Sequence, residues 1–530
     1  MTAAWNKRDA GLVLLALAWL TLTLGVRPLA LPDEGRYVGV AWEMLTSGNW
    51  LYPTLDGLPF FHKPPLFYWI TAGSLGVFGT HEWAGRLASL LGAGLAAFSL
   101  YGFALRQHGK AVARWALLIL VTQPFFFVGA QFANLDMLVA GLISATVLLA
   151  AGAALNADKQ QPYRGLLAGA YVSAALGILA KGLIGIVLPG MIVVIWLAWS
   201  RRFNLLRHLI WLPGLVLFAL IAVPWFAAMQ AHFPDFLNYF FVYNHFQRFT
   251  ESGFNNPMPF WFYLPVILAL TLPWSWWLPA AWQRRELACR DMQRCEQPAI
   301  ASLMWIWLAV IVGFFSIPSS KLVGYVLPAL PPLAYLIAAG LRRKWESEET
   351  LPRPMKWFAA TAALVCLSLV CLPAIQANNP LDTKSGKKMA GLIAAQRQAG
   401  EPVIFLENQF FDLPFYLGLR EPVKIFSDWK PTPHPQSDNW HKALQDAGKF
   451  DPVRARMLLL DHTQVVQELC AHPVTWLIAV AKATAQDAPY LQPASLVAQN
   501  GYATVWKVSQ STMAASGLCP GTPTVGSINK

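Results

Sequence analysis

Long apolar runs separated by short polar turns dominate the first 376 positions of the chain. Most are near 20 residues long, enough for a helix to cross about 30 Å of hydrocarbon. Membrane-spanning helices are predicted at 11–31, 83–105, 113–131, 136–155, 165–180, 183–199, 208–229, 259–281, 299–317, 322–340 and 357–375. Further spans follow if the stretch 64–80 inserts or a long run divides differently. The pattern therefore predicts a polytopic α-helical membrane protein with about 11–13 transmembrane helices.

The pattern changes after residue 376, where short strand-like runs alternate with helical ones. This alternation is typical of a small α/β domain. Strands are predicted at 402–406, 423–426, 455–460, 474–480 and 503–508, and the proline-rich segment 431–439 is predicted to be a loop. We therefore divide the chain into a transmembrane domain at 1–376, with catalytic outer loops, and a soluble α/β domain at 377–530.

Composition supports the membrane class, because 56% of the 530 residues are hydrophobic and only 13% are charged. Soluble proteins average about 25% charged residues. A soluble enzyme, a disordered chain and a disulfide-stapled miniprotein are excluded. The net charge of +12 lies almost wholly in residues 1–376, which hold 26 basic and 16 acidic residues. It is therefore interpreted as a topology signal, and nucleic acid is not predicted as a partner.

Alternate connections between the predicted spans differ sharply in charge. Nineteen basic residues fall on the side of the N-terminus and five on the opposite side. By the positive-inside rule the N-terminus is cytoplasmic and the tail lies outside. The first span has no small-residue cleavage site, so we interpret it as an anchor that is retained.

Only two of the six cysteines, Cys470 and Cys519, fall in the outer domain. An oxidising compartment would allow a disulfide between them, and two unpaired thiols are the alternative. Neither a CxxC pair nor a Cys/His cluster predicts a zinc site.

The five basic residues on the outer side need a separate explanation, because the charge rule disfavours them there. Four stand beside other polar or aromatic residues near predicted membrane ends, and a shared anionic ligand would account for them. The five are Arg36, Lys63, Lys181, Arg248 and Lys321.

The first outer loop opens with Asp33, Glu34, Arg36 and Tyr37, followed by an amphipathic stretch to about Ser47. In a helix, Asp33 and Arg36 would lie one turn apart on the same face. Asp33 would then direct an acceptor while Arg36 binds an oxyanion. The alternative is that Asp33 caps the helix and Glu34 occupies its first turn. The residues alone leave both interpretations open.

Two further outer positions carry isolated charge. Lys63 follows His62 and precedes two prolines, so its cation sits on a stiffened backbone suited to pairing with a phosphate. A lysine that snorkels among aromatic residues is the alternative.

Asp136 lies between two apolar spans with no basic residue in its turn, an arrangement that is costly near a membrane. Capping of the next helix by Asn134 or Asp136 is the alternative.

Cations and aromatic residues also mark the later outer turns. Cations neutralise phosphate and aromatic rings stack on sugars, so the set suits a lipid-linked phosphate and a sugar. Taken singly, Lys181 and Lys321 are also typical interface anchors. The residues are Lys181, His245, Arg248, Lys321 and Tyr325.

In combination these motifs resemble the polyprenyl-phosphate-dependent glycosyltransferases of the C-type superfamily. The likeness is closest to the aminoarabinose transferases that modify lipid A, which are relatives of the protein O-mannosyltransferases. It covers the whole chain, and its motifs are specific in combination but weak singly. They are Asp33-Glu34-Gly35-Arg36-Tyr37, His62-Lys63-Pro64-Pro65, Asp136, and Ser320-Lys321-Leu322 with Tyr325.

The resemblance implies the C-type glycosyltransferase fold in a bacterial inner membrane, with a periplasmic α/β domain. It implies transfer of 4-amino-4-deoxy-L-arabinose from undecaprenyl phosphate to a lipid A phosphate, a modification tied to polymyxin resistance. The catalytic residues it implies are Asp33, Lys63 and Asp136. The substrate-binding residues it implies are Glu34, Arg36, Tyr37, His62, Lys181, His245, Arg248, Lys321 and Tyr325, with membrane lipids as further partners.

No cofactor is predicted to be required. His62 departs from the acidic residue that some members carry before the lysine, which puts a metal bound there by relatives in doubt. A His62/His245 pair could replace it, but a divalent metal is not predicted. Two other functions remain open at this point: a sister transferase acting on protein Ser/Thr or another glycan, and a transporter or flippase. The clustering of ionisable residues at one face favours an enzyme over a transporter.

Overall fold

The structure is a computed structural model, and it describes residues 7–247, 256–281, 296–345, 353–378, 385–429, 439–481, 483 and 489–519. Contacts divide the chain into two compact units. The first unit comprises Met1–Arg27, His62–Ile70 and Arg86–Ile375. The second unit comprises Pro28–Phe61, Thr71–Gly85 and Gln376–Lys530. The expected boundary at 376 is therefore only part of the division, because two N-terminal segments group with the tail.

Helices account for nearly all regular structure before the tail. The α-helices are Lys7–Thr21, Asp33–Ser47, Leu66–Phe78, Glu82–Gly85, Leu87–His108, Lys110–Thr122, Pro124–Ala130, Leu135–Asp158, Arg164–Lys181, Ile184–Trp199, Leu206–Leu209, Leu212–His232, Tyr263–Leu270, Leu278–Ala281, Glu296–Ser316, Leu330–Trp345 and Arg353–Ala377. Tighter 3₁₀ turns cover Phe203–Leu205, Trp274–Trp277 and Val323–Ala329, and a π-helix covers Asn238–Gln247.

Six helices among the described residues are long and apolar enough to cross a membrane. A seventh span results if Lys110–Thr122 and Pro124–Ala130, which meet at a bend of 69°, count as one. Each of the eleven predicted spans overlaps a described helix, which confirms a multi-pass helical protein. The first predicted span is shorter than expected, because its helix Lys7–Thr21 ends ten residues before position 31 and continues as turns.

Glycines bring two central helices of the first unit into backbone contact. A Cβ on Gly141 would lie 2.1 Å from the carbonyl oxygen of Gly92, and a Cβ on Gly92 would lie 2.4 Å from that of Met137. Small residues let membrane helices approach this closely. The contact sets the height of the helix Leu135–Asp158 against Leu87–His108. It thereby fixes the helix start, where Asp136 lies.

The second unit contains an antiparallel hairpin and a six-stranded sheet. The hairpin pairs β1 (Thr54–Leu55) with β2 (Leu58–Pro59). The sheet has the order β5-β4-β3-β6-β8-β7. Its strands are β3 (Val403–Leu406), β4 (Lys424–Phe426), β5 (Leu459–Leu460), β6 (Val474–Val480), β7 (Ser495–Gln499) and β8 (Ala503–Ser509).

Four strands of this sheet, β5, β4, β3 and β6, are parallel, and β8 and β7 complete it in antiparallel pairing. Apolar residues fill both faces, as expected for parallel strands covered on each side. The covering helices are Lys387–Ala394, Leu413–Tyr416, Trp440–Phe450, Pro452–Leu458, His462–Ala471 and Gln510–Ala515, with a 3₁₀ turn at Pro489–Leu491. Leu58 of the hairpin belongs to one of the two apolar clusters.

The predicted α/β character of the tail is confirmed, with two local differences. The stretch predicted as a strand at 455–460 is mostly helix, because Asp451 caps Pro452–Leu458 and only Leu459–Leu460 extends. The strand Ser495–Gln499 was not predicted, since its pattern of exposure does not alternate cleanly. The proposed loop at 431–439 lies outside the described residues except for its last residue.

Cys470 and Cys519 form a disulfide across 49 residues of the second unit. Of the two interpretations left open by the sequence, the structure contains the bonded one. Among the described residues, Cys366 and Cys371 are free thiols in the helix Arg353–Ala377.

Candidate active site

In the first unit the predicted catalytic Asp136 is paired with the predicted substrate-binding Lys181. The lysine ammonium contacts Oδ1 of the aspartate, and both side chains are about nine-tenths buried. Lys181 ends the helix Arg164–Lys181, so its cation also complements the negative end of that helix dipole. Two residues that are 45 positions apart in the sequence are thus brought together.

The idea that Asp136 lacks a cationic partner is wrong. Its own turn contains no basic residue, but a neighbouring helix end supplies Lys181. Helix capping is performed by Asn134, whose side chain accepts a hydrogen bond of 2.9 Å from the Asp136 backbone nitrogen. Because Asn134 caps the helix, the Asp136 carboxylate is left to pair with Lys181.

An aromatic ring and a glycine complete the surroundings of this ion pair. The Lys181 Nζ lies 4.3 Å from the centre of the Tyr325 ring, within cation–π range. A Cβ on Gly324 would come within 2.5 Å of Asp136 Oδ2. Gly324 thus leaves the space that the carboxylate occupies. The predicted residues Asp136, Lys181 and Tyr325 therefore form one cluster, which we call the Asp136 cluster.

Buried polar contacts hold the turn that leads into Asp136. Thr23 donates a 2.5 Å hydrogen bond to the side chain of Gln131, and Arg27 donates one of 2.9 Å to the Gln131 carbonyl. Ser89 donates a 3.0 Å bond to the Asn134 carbonyl. The Thr23 bond is buried and the other two are part-buried, so water competes little with them. They fix the backbone on which Asp136 stands.

Arg86 is fully buried and binds the turns that follow the helix Lys7–Thr21. It donates hydrogen bonds of 2.6 Å and 3.0 Å to the carbonyls of Leu24 and Arg27. This contact has no local signal in the sequence, because the carbonyl partners lie about 60 residues earlier in the chain. Its role is to satisfy backbone oxygens that water does not reach.

Four predicted residues lie near positions 62 and 245 of the sequence. His62 Nε2 lies 3.4 Å from the hydroxyl of Tyr239, a contact that the sequence did not suggest. Lys63, next to it, is half-buried. His245 belongs to the π-helix Asn238–Gln247, but its side chain lies outside what the structure describes, and so does the whole of Arg248. A His62/His245 pair stays a prediction.

Lys321 is almost fully buried, and its ammonium binds backbone carbonyls. It donates to Met258 at 3.0 Å and to the carbonyl of Pro318. The two bonds connect the turn before Val323–Ala329 to the backbone at Met258, so this lysine has a structural role. The membrane-interface anchor that the sequence left open stays a prediction. Its predicted contact with substrate stays a prediction.

In the second unit Asp33 and Arg36 lie one helical turn apart, as the sequence predicted. Asp33 begins the helix Asp33–Ser47, which we call the loop helix. Its Oδ1 accepts a 2.7 Å hydrogen bond from Arg36 Nη2, and each side chain is about one-third exposed. Asp33 makes no capping bond at the start of the helix. Solvent therefore reaches both side chains of this pair.

Glu34 and Tyr37 have structural contacts beside this pair. Glu34 is fully buried, and its Oε2 accepts a 2.8 Å hydrogen bond from the backbone nitrogen of Ala30. This bond shapes the turn before the loop helix. Tyr37 is buried, and its ring centre lies 5.4 Å from the Arg36 guanidinium. Direct contact of Glu34 and Tyr37 with substrate stays a prediction.

Metal binding was not predicted from the sequence. Within the described ranges, no group of three or more His, Cys, Asp or Glu side chains is arranged to hold a metal ion.

Comparison with known proteins agrees with these features. Residues 62–227 match the family model of dolichyl-phosphate-mannose-protein mannosyltransferases. The chain is 36% identical over 320 residues to an undecaprenyl phosphate-α-4-amino-4-deoxy-L-arabinose arabinosyl transferase of Erwinia tasmaniensis, covering 60% of this chain and 56% of that protein. It is 32% identical over 394 residues to a protein of the same name in Aeromonas hydrophila, covering 72% and 68%.

A solved structure extends the likeness to nearly the whole chain. The crystal structure of ArnT from Cupriavidus metallidurans bound to undecaprenyl phosphate superposes with a TM-score of 0.78 at 26% identity, covering 96% of this chain and 99% of that one. This match confirms the C-type glycosyltransferase fold with a C-terminal sheet domain. The chain belongs to the family of undecaprenyl phosphate-α-4-amino-4-deoxy-L-arabinose arabinosyl transferases.

Proposed function

We propose that this protein transfers 4-amino-4-deoxy-L-arabinose from undecaprenyl phosphate to a phosphate of lipid A. One observation carries the proposal: the chain aligns with transferases of this name at 32–36% identity and, over 96% of its length, with one bound to undecaprenyl phosphate. The Asp136 cluster supports it, because its buried carboxylate and cation beside an aromatic ring suit an amino sugar on a phosphate carrier.

The reaction is proposed to take place on the periplasmic side of the bacterial inner membrane. The excess of basic residues on alternate connections supports a cytoplasmic N-terminus and a periplasmic tail. The Cys470–Cys519 disulfide in the second unit supports the same orientation, because disulfides persist in oxidising compartments.

The proposed mechanism follows from the leaving group. Undecaprenyl phosphate departs as an anion, so a cation that neutralises its developing charge lowers the barrier. Lys63, half-buried beside two prolines, is proposed for this role. The oxygen of a lipid A phosphate is already largely ionised, so attack requires no proton removal. Asp33 would therefore orient the acceptor or the amine of the sugar.

A different acceptor would change the role of Asp33. A serine or threonine hydroxyl keeps its proton, so Asp33 would then act as general base. The polyprenyl phosphate is a sufficient leaving group in either case once its charge is neutralised. We therefore propose that the protein requires neither a nucleotide nor a divalent metal, and that a chelator leaves transfer unchanged.

Mass spectrometry of lipid A tests the proposal. The chain is expressed in a polymyxin-sensitive strain that lacks its own aminoarabinose transferase but makes the donor. We expect a mass increment for aminoarabinose on a lipid A phosphate. The increment should disappear with Asp33→Asn and with Lys63→Ala, while each variant remains folded in the membrane.

Matched variants control for the loss of a charge alone. Asp235→Asn and Lys449→Ala change exposed residues and should keep the increment. Activity near wild type in purified Asp33→Asn or Lys63→Ala would contradict the assigned site. Unmodified lipid A despite verified expression and donor supply would contradict the proposed acceptor and favour a sister transferase that acts on protein or another glycan.

A further inference from the structure

The loop helix is held against the tail by two glycines on one of its faces. A Cβ on Gly39 would lie 2.9 Å from the backbone oxygen of Phe411. A Cβ on Gly35 would lie 3.1 Å from both the Cβ and the backbone nitrogen of Asp412. Gly35 and Gly39 are four residues apart and therefore share a helix face. The helix thus meets the chain closely at Phe411 and Asp412. These two residues belong to the segment 409–412, which we call the tail turn.

Further bonds connect the tail to the interior of the loop helix and to the segment just before it. The indole nitrogen of Trp42 donates a 2.7 Å hydrogen bond to the carbonyl of Leu419. The Tyr416 hydroxyl accepts a 2.8 Å bond from the backbone nitrogen of Leu29, just before the helix. At the same end, the Arg36 guanidinium lies 6.0 Å from the centre of the Phe411 ring. All these residues belong to the second unit.

The tail turn is held in place by the buried carboxylate of its own Asp412. Asp412 is fully buried and accepts hydrogen bonds from the Gly386 nitrogen at 2.7 Å and the Tyr502 hydroxyl at 2.7 Å. Ser385 adds a longer bond of 3.3 Å. Burial raises the pKa of Asp412 to about 6, and the donors oppose that rise. The tail turn therefore cannot shift without breaking buried polar contacts.

We propose that the tail turn is a positioning element for sugar transfer: it fixes the loop helix, and thereby Asp33 and Arg36, through its contact with Gly39. The α/β domain then contributes to the reaction without supplying a catalytic residue. This inference rests on the proposed function, in which Asp33 orients a reactant.

The direct backbone contact makes the position of the loop helix sensitive to any side chain added at Gly39. A methyl group on Gly39 cannot be accommodated by a rotamer change, because its neighbour is a carbonyl oxygen. The loop helix must therefore move. Asp33 moves with it, since Gly39 and Asp33 belong to the same helix of 15 residues. A displacement of about 1 Å can lower an enzymatic rate by about 10²-fold.

Gly39→Ala tests the proposal, with Gly391→Ala as its matched control. Gly391 also lies in a helix of the second unit, but a Cβ there meets nothing within 4 Å. Both substitutions gain the same intrinsic helix preference of about 1 kcal/mol, so they differ in the contact alone. We expect Gly39→Ala to lower kcat at least about 10-fold with little change in donor KM, and Gly391→Ala to match the wild type.

Two further measurements separate positioning from loss of structure. Binding of undecaprenyl phosphate alone should be unchanged in Gly39→Ala. Hydrogen exchange should become faster by at least about 10-fold in the amides of the loop helix and remain as in the wild type in the sheet strands β3 and β6. Gly35→Ala should show the same pattern in weaker form, because its nearest contact is the flexible end of Leu31 at 2.6 Å.

The outcomes distinguish this inference from the proposed function. Gly39→Ala with wild-type kcat and wild-type exchange would overturn the inference. A parallel loss of kcat, donor binding and protection throughout the second unit would also overturn it, because the glycine would then support folding only. If the wild-type protein transfers no aminoarabinose, the proposed function fails, and the exchange measurement still decides whether the Gly39 contact sets the loop helix.

Discussion

The ammonium group of Lys181 lies between the carboxylate of Asp136 and the ring of Tyr325, 4.3 Å from the ring centre. Both charged side chains are about nine-tenths buried in the first unit. Removing one partner of a buried ion pair leaves an uncompensated charge, which costs roughly 3–5 kcal/mol. Replacing both charges is much less costly, because nothing charged remains buried. The two residues should therefore be strongly coupled.

A double-mutant cycle measures this coupling. We expect Lys181→Met to lower the apparent Tm of the detergent-solubilised protein by several degrees, because the Asp136 carboxylate loses its cation. Asp136→Asn should be milder, since Lys181 keeps the Tyr325 ring. The double variant should be more stable than Lys181→Met alone. Additive losses across the cycle would show that the two side chains do not interact.

Gly324 leaves room for the Asp136 carboxylate, so a side chain there should disturb it. The Cβ of Gly324→Ala would lie 2.5 Å from Oδ2, which forces the carboxylate to rotate away. Because Asp136 is proposed to be catalytic, we expect transfer to fall at least about 10-fold. The assay is aminoarabinose incorporation by purified protein.

Gly313→Ala is the control for that experiment. Gly313 lies in the helix Glu296–Ser316, and a Cβ there meets nothing within 4 Å. It should keep wild-type transfer. Equal activities of Gly324→Ala and Gly313→Ala would remove Asp136 from the list of catalytic residues.

An acidic pair, half-buried Glu43 and buried Asp56, should make the stability of the second unit depend on pH. Glu43 accepts hydrogen bonds from the Thr54 hydroxyl at 2.7 Å and the Gly57 nitrogen at 3.0 Å. Asp56 accepts one of 2.6 Å from the Gln409 side chain. Burial, and next the charge of Glu43, raises the pKa of Asp56 to about 8. Burial also raises the pKa of Glu43.

The sign of the effect follows from proton binding. Between the ordinary pKa of an aspartate near 4 and the folded value near 8, the folded chain holds a proton that the unfolded chain releases. The associated stability is complete below about pH 4 and is lost as the pH rises through 8. Asp56→Asn resembles the protonated form, and asparagine tolerates the positive φ of 51° at this position.

Thermal unfolding across pH checks this assignment. We expect the Tm of the wild type to fall relative to that of Asp56→Asn between pH 6 and pH 9. The exposed substitution Asp235→Asn should keep the wild-type profile. Parallel Tm curves for the wild type and Asp56→Asn over this range would contradict the raised pKa.

The sequence predicted local features well where a short pattern determines them. The amphipathic stretch after Asp33 predicts the loop helix, and the three-residue spacing of Asp33 and Arg36 predicts their contact; the structure contains both. Membrane helices are predicted from the length of an apolar run, and this prediction holds even when the end residues of the run are uncertain by a few positions. The strand β7 was missed, because half-exposed residues do not alternate clearly.

Contacts between distant parts of the chain could not be predicted in this way. Asp136 appeared unpaired because its partner Lys181 lies 45 residues later, on a separate helix end. The grouping of the first outer loop with the tail was missed for the same reason, since the Gly39 contact with Phe411 leaves no periodic signal. The sequence hint was Gly39, a glycine inside a predicted helix and away from any turn. Such a glycine indicates a close contact but does not identify the residue that it contacts.

The disulfide between Cys470 and Cys519 makes the stability of the tail depend on an oxidising compartment. It joins the helix His462–Ala471 to the segment after Gln510–Ala515, across 49 residues. Closing a loop of this length restricts the unfolded chain by at most about 4 kcal/mol. We therefore expect the double variant Cys470→Ser with Cys519→Ser to unfold at a lower temperature than the wild type in the absence of reductant.

Thiol labelling of the protein from freshly lysed cells tests the same bond and the proposed orientation together. After cell lysis in denaturant, a maleimide mass tag should add two more labels to the wild type when the sample is first reduced. The double serine variant should gain none on reduction, because the remaining cysteines are already accessible to the tag in denaturant. Equal labelling of the wild type with and without reduction would mean that Cys470 and Cys519 are thiols in the cell. A reduced pair would contradict a periplasmic tail, because thiols at bonding distance do not persist unoxidised in that compartment.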